Sequence, residues 1–160
     1  MVKSLRYWLQ AVGLTREEKV RNSTQYVFTE LGTIIDNYDK YMEEIGTLCL
    51  LHYKLATNSE LATSWHYFFN EFGMHEFTKE DYLDSIVTHL KFKQLEPAVK
   101  SLENDYTCIL NTYIPKKLTD PEDNMECPLS ELGLIEQKDK KVFLFSDVTG
   151  IFLKIKITFF

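Results

Sequence analysis

The sequence predicts a mainly helical α+β chain, a helical bundle carrying small β-hairpins in winged-helix-like units. Three observations predict it. Apolar residues recur at spacings of three and four through most of the chain, the signature of one-sided helices. Twice, at Gly13-Leu14 and Gly133-Leu134, a helix-ending glycine leads directly into a polar-tipped stretch with strand-forming flanks. Composition supplies the core: 160 residues are 44% hydrophobic and 14% aromatic, with no low-complexity segment.

Over Met1 to Val12 the stripe is Val2, Leu5, Leu9 and Val12, with Gly13 where a left-handed cap is wanted. If those four point inward, Lys3, Arg6, Tyr7 and Gln10 share the outer face. No Ser, Thr, Asp or Asn cap precedes the stripe, so the chain is expected to start inside a helix and to be shortened at its beginning. Leu14 to Phe28 is predicted as a hairpin, polar in its middle and closed by Tyr26, Val27 and Phe28. Thr29 caps a short helix, Glu30 to Asn37.

After Asp39 a longer helix is expected from Lys40 to about Ala56, ended by Thr57, Asn58 and Ser59. Leu48 to Tyr53 is apolar almost all round, which predicts a helix covered on several sides. Leu61, Trp65, Phe68, Phe69 and Phe72 form the next stripe, stopped at Gly73, and place Trp65 in the core. Thr78 with Asp81 makes a capping-box start for a helix burying Tyr82, Leu83, Ile86, Val87 and Leu90. The last long helix begins at Pro97 and aligns Val99, Leu102, Tyr106, Ile109, Leu110 and Tyr113.

Pro115 to Pro128 holds three prolines and several acids without apolar period, hence a loop. Leu129 to Gly133 closes a short helical turn, and Leu134 to Gln137 faces Lys141 to Phe145 across Lys138-Asp139-Lys140. The expected organisation is a winged-helix-like half at 1–37, truncated at its start, and a helical core at 38–114. A linker at 115–128 and a short helix with hairpin and strands at 129–160 complete it, all packed as one compact domain.

Several function classes find no support. There is no run of about 18 apolar residues and no signal core, which places the chain in the cytoplasm and away from membranes. Cys49, Cys108 and Cys127 are odd in number and form no C-x-x-C pair, so neither a disulfide framework nor a zinc knuckle is indicated. His52, His66, His75 and His89 include no pair at i, i+4 and no H-E-x-x-H, so no metal is expected. The six glycines never form a phosphate-cradling loop, and there is no G-x-S-x-G elbow. No catalytic residues, cofactor or small-molecule substrate are predicted.

Charge is uneven. Between Asp36 and Asp84 ten acids face only Lys40, Lys54 and Lys79, in a chain of net charge -6. Solvated helix faces are the plain reading, and such a segment repels nucleic acid. From Met1 to Phe28, by contrast, Lys3, Arg6, Arg16, Lys19 and Arg21 outweigh Glu17 and Glu18. Lys3, Arg6, Tyr7 and Gln10 are side-chain types that contact phosphates and base edges, and Arg16, Lys19 and Arg21 sit where a wing tip would touch backbone. These seven are the candidate nucleic-acid-binding residues, set against the plainer reading of an ordinary solvated face.

The stretches Met1-Val2-Lys3-Ser4-Leu5-Arg6-Tyr7-Trp8, Phe28-Thr29-Glu30-Leu31-Gly32 and Glu44 to Ala56 (EIGTLCLLHYKLA) resemble an uncharacterised bacterial family, with Trp65, Phe68 and Phe69 continuing the likeness. In that family a Gly-Val-Gly-Lys-Asn segment precedes the first stretch, and the apolar ending Ile151 to Phe160 departs from its pattern. The resemblance implies no activity; it implies company with gene clusters for DNA modification and phage defence, phosphorothioation-type systems included. The expected function is therefore a non-enzymatic accessory protein of such a system, contacting a protein partner and, secondarily, DNA. Its rivals are a winged-helix transcriptional regulator and an enzyme with an unfamiliar site built around His52, His66 and acids.

Overall fold

Helix ends, more than helix interiors, set the course of this chain. A computed structural model describes residues 2–21, 23–96, 98–115 and 127–145, without the side chains of Val2 and Lys3. The expected start at Pro97, most of the 115–128 loop and the apolar ending at 151–160 lie outside the described residues. The chain divides into two compact units, residues 1–66 and 67–160. Among the described residues no helix is long and apolar enough to cross a membrane.

In the first unit, α1 (Val2–Ala11) ends as the glycine predicts. Gly13 has φ +73, its N–H donates to the Gln10 carbonyl and the Leu14 N–H reaches back to the Leu9 carbonyl, both at 2.9 Å. This paired closure satisfies carbonyls that a helix end otherwise leaves bare. The chain turns at once into β1 (Thr15–Val20), antiparallel to β2 (Ser23–Phe28) in a register from Thr15 opposite Phe28 to Val20 opposite Ser23. A two-residue turn remains, with Arg21 held at φ +53. Thr29 then caps α2 (Glu30–Tyr38): its Oγ1 accepts from the Gly32 N–H at 3.0 Å and donates to the Gly13 carbonyl at 2.6 Å.

Two expectations are corrected here. The inward face of α1 is not the Leu5 stripe, because Leu5 is 61% exposed while Ala11 is buried and Trp8 packs edge-on against Trp65 at 4.8 Å. The large aromatic ring outweighs the aliphatic stripe, since it buries more area per residue. The next helix, α3 (Ile45–Thr57), begins five residues later than Lys40. The Asp39 carboxylate accepts from the N–H groups of Glu43 (2.9 Å) and Glu44 (3.2 Å), and Met42 adopts φ +57, so the segment is spent on a braced turn. A short acid competes well with the helix for backbone donors. Bonds from Thr47 and those two amides hold the Asp39 carboxyl below its ordinary range.

α3 buries Leu48, Cys49, Leu51, Leu55 and Ala56, but Leu50 and Tyr53 are exposed, so its apolar run is covered on one side only. Asn58 ties the helix to α1: its Nδ2 donates to the Ala11 carbonyl at 3.0 Å while its Oδ1 accepts from the Leu61 N–H at 2.9 Å. Trp65, on α4 (Thr63–Asn70), is buried as its stripe predicts.

The second unit is organised by rings. Phe68, Phe72, Phe77 and Tyr82 meet at centroid separations of 4.7 to 6.3 Å, and Tyr106 joins Tyr82 at 5.2 Å. Phe77 belongs to β3 (Glu76–Phe77), a strand too short for any period to announce. Thr78 and Asp81 form the predicted reciprocal capping box at the start of α5 (Lys79–Phe92). α6 (Val99–Tyr113) buries Leu102, Tyr106, Ile109 and Tyr113, leaving Val99 exposed. A 3-10 turn, Pro128–Leu132, is closed by Gly133 at φ +61. β4 (Ile135–Lys138) and β5 (Lys141–Leu144) follow as the hairpin expected, and β3 adds to β5, giving the order β3-β5-β4. The architecture is the predicted α+β mixture: six α-helices with antiparallel sheets of two and three strands among the described residues.

Gly32 shows how tight the first junction is. A Cβ there would be driven into the Leu14 carbonyl oxygen and would stand 3.1 Å from Phe28 Cδ1, whereas at Gly46 nothing lies within 4 Å. Gly32→Ala should therefore cost about 2–3 kcal/mol, as overpacking against backbone does. Gly46→Ala should gain about 0.5–1 kcal/mol from helix propensity. Urea unfolding of the two variants side by side checks both signs.

Candidate nucleic-acid interface

The candidate surface is built from the outer side of α1 and the β1–β2 hairpin. No residue of either strand is buried, although the hairpin carries Val20, Tyr26 and Phe28. The register puts Thr15, Glu17 and Lys19 on the same face as Phe28, Tyr26 and Thr24, and Arg16, Glu18 and Val20 on the other. Arg6 reaches from α1 to the first face, its guanidinium 4.9 Å above the Tyr26 ring. Cation and ring attract through the ring quadrupole, which fixes the side chain without neutralising it.

The seven predicted residues are thus treated unequally. Arg6 and Lys19 share a face, and Arg21 stands at the turn beside Lys19; neither Lys19 nor Arg21 has a carboxylate partner among the described residues. Arg16 points the other way and is neutralised by Glu18 at 2.6 Å. The Tyr7 hydroxyl donates a short hydrogen bond to the Leu61 carbonyl, which makes it a tie within the first unit. Gln10 lies over its own helix, with Nε2 3.4 Å from the Arg6 carbonyl. The backbone of Lys3 is helical and its side chain lies outside the described residues. Sequence reasoning missed Tyr26, read only as a hairpin-closing residue; its position opposite Glu17 was legible, but its partner in α1 is twenty residues away.

Other chemistry-bearing side chains fall elsewhere. Among the described residues no group of three or more His, Cys, Asp or Glu side chains is placed to hold a metal ion. Cys49 is buried, and burial pushes the half-buried Cys108 and Cys127 thiols above their ordinary values. Such thiols stay protonated at neutral pH and make poor nucleophiles. His89 pairs with Glu71 at 3.1 Å and packs on the Tyr67 ring at 4.6 Å. His52, on the half-covered α3, is pushed down to about 4 by burial.

A helix closed by glycine, an exposed two-stranded hairpin and a capped second helix make up the α+β start of the first unit. The chain belongs to the DUF4007 family, described as a protein of unknown function, whose model matches residues 1–160 and so reaches well past the motif-bearing first half. Two solved structures are similar to it. The chain is 31% identical to a magnesium ion-bound SspB crystal structure, with a TM-score of 0.75 over 90% of this chain and 47% of that one. It is 32% identical to a second SspB crystal structure, with a TM-score of 0.74 over 90% of this chain and 46% of that one. The chain therefore spans about half the length of the SspB chains it matches. No curated protein matches it.

The position of His52 has a consequence for acid stability. A histidine whose folded pKa, about 4, lies below its ordinary 6.5 is protonated more readily in the unfolded chain. The neutral form keeps its full stability above pH 6.5 and loses it progressively as pH falls to about 4, by about 3 kcal/mol in total. Stability measured from pH 7 to pH 4 should show this fall, and His52→Phe should flatten it; equal slopes for the two proteins would contradict the buried placement.

Proposed function

We propose that the chain is a non-enzymatic accessory module of a bacterial DNA-modification or defence system, acting through contact with a protein partner and reaching DNA with the hairpin arm. The observation that carries this reading is the hairpin itself. Two-stranded hairpins are marginal by themselves, and one exposed on both faces while carrying Val20, Tyr26 and Phe28 is poorly explained as a stability element. Its cations, Lys19 and Arg21, sit at the free end, while Arg6 is held nearer the root, on Tyr26. Arg21 moreover occupies a left-handed turn position that Asn or Gly would fill without strain. Membership of a family of unknown function and likeness to SspB agree with the reading.

A magnesium ion is bound in one of the SspB structures.

The arm is tested by a salt series of DNA binding. Lys19→Ala with Arg21→Gly removes two cations while relieving the left-handed strain at position 21, so the melting temperature should hold or rise. Binding should weaken, and the log-log salt slope should flatten by about one unit per lost phosphate contact. An unchanged slope in the stable double variant would remove DNA from the reading and leave the protein partner.

A further inference from the structure

The segment joining α2 to α3 carries a surface that the hairpin reading does not use. Residues 36–44 hold the acids Asp36, Asp39, Glu43 and Glu44 against a single cation, Lys40. In the same stretch Tyr38 is 86% exposed and Tyr41 80%. Ile34, one turn before Tyr38 on α2, is exposed as well, so the two form an uncovered apolar stripe. Burial accounts for neither ring, because a side chain left almost wholly in water adds next to nothing to the core.

Local bonds hold these rings and charges together. The Met42 N–H donates to the Asp39 carbonyl at 3.0 Å, closing a β-turn with Lys40 and Tyr41 at its tip. The Asp39 carboxylate accepts from the Glu43 and Glu44 N–H groups, which folds the chain back behind that tip and spends this charge on backbone donors. Asp36, Glu43 and Glu44 are exposed and have no cationic partner among the described residues. Asp36 moreover lies in the last turn of α2, where the carbonyl end of a helix disfavours negative charge. Fold stability therefore explains neither that charge nor the two rings.

We propose that this acidic tyrosine surface docks an arginine-bearing, cationic segment of a protein partner, with guanidinium groups on Tyr38 and Tyr41 and toward the carboxylates of Asp36, Glu43 and Glu44. Charge complementarity selects the occupant. A planar guanidinium can stack on a ring and pair with a carboxylate at once, which favours arginine. An acidic segment or a nucleic acid would meet like charge, and a purely apolar one would desolvate carboxylates without pairing them. Because the turn is fixed by its own bonds, the surface is formed before anything binds, which lowers the ordering cost. The inference rests on the protein-partner part of the proposed function and gives that partner a chemistry; the salt series of DNA binding decides the hairpin separately.

The test uses the full chain and two fluorescent peptides, one interspersing Arg with Gly and Ser, the other carrying Glu in place of Arg. Anisotropy titrations should show the arginine peptide binding about tenfold more tightly, with an affinity that falls as salt rises. Tyr38→Ser with Tyr41→Ser should weaken it about tenfold, and Asp36→Asn about threefold. Melting temperature should hold in the first variant and hold or rise in the second, since the rings are exposed and the lost charge sits at the carbonyl end of α2. The Lys19→Ala, Arg21→Gly variant should bind the arginine peptide as the parent does, so failure here and failure of the hairpin reading remain distinguishable. No binding of the arginine peptide overturns the proposal. So does equal binding of both peptides, or indifference to the tyrosine pair in the folded variant. Sedimentation of the chain alone at low salt supplies the last outcome: a dimer abolished both by the tyrosine variant and by the hairpin variant would give the surface to a second copy and overturn the partner reading.

Discussion

One hydroxyl organises the first unit. Thr29 Oγ1 donates to the Gly13 carbonyl and accepts from the Gly32 N–H, so a single side chain joins the end of α1 to the start of α2. The Thr29 N–H donates to the Leu14 carbonyl at 3.0 Å, the same oxygen against which a Gly32 Cβ would collide. Gly13 bends the chain there, Gly32 lets α2 approach, and Thr29 satisfies backbone groups that both helix ends would leave bare. The β1–β2 hairpin springs from this junction at Thr15 and returns to it at Phe28, so its direction is set by three residues that lie outside it.

That arrangement explains how a hairpin with no buried residue can exist at all. Joined to the helices at its root and by Arg6 over Tyr26, the hairpin has no fully buried residue, and the hydrophobic term that stabilises most sheets is small in it. The cost is borne by the junction and by the core behind it, where Trp8 meets Trp65 and Asn58 bonds the end of α1. Electrostatics runs the same way. Cations stand on the hairpin, and of the acids between Asp36 and Asp84 two are tied to backbone amides, Asp39 in its braced turn and Asp81 in the capping box.

The parts of the fold legible in the sequence are those whose cause is local. The Thr78–Asp81 box, the Thr29 cap and the glycines at 13 and 133 are each decided within a few residues, and the helices and hairpins they bound follow. What escaped reading is decided at a distance or by competition. Leu5 loses the inward face to Trp8 because Trp65 lies across from it. Lys40 does not start α3 because the Asp39 carboxylate takes the amides first. β3 is two residues long and exists through its pairing with Val142 and Phe143. At the candidate site, the basic excess was legible while its division was not: Arg16 pairs with Glu18, its same-face neighbour at i, i+2 in a strand, and Arg6 finds Tyr26 only through the turn at Gly13.

If the junction is the constraint on which the arm depends, its hydroxyl is the atom to remove. Urea unfolding of Thr29→Ser and Thr29→Val measures this most directly, because serine keeps the hydroxyl and valine keeps only the shape. The Ser variant should stay within about 0.5 kcal/mol of the parent, while the Val variant should lose about 2 kcal/mol, since it forfeits a cap and leaves the Gly13 carbonyl short of a donor. Equal stabilities for serine and valine would contradict the account.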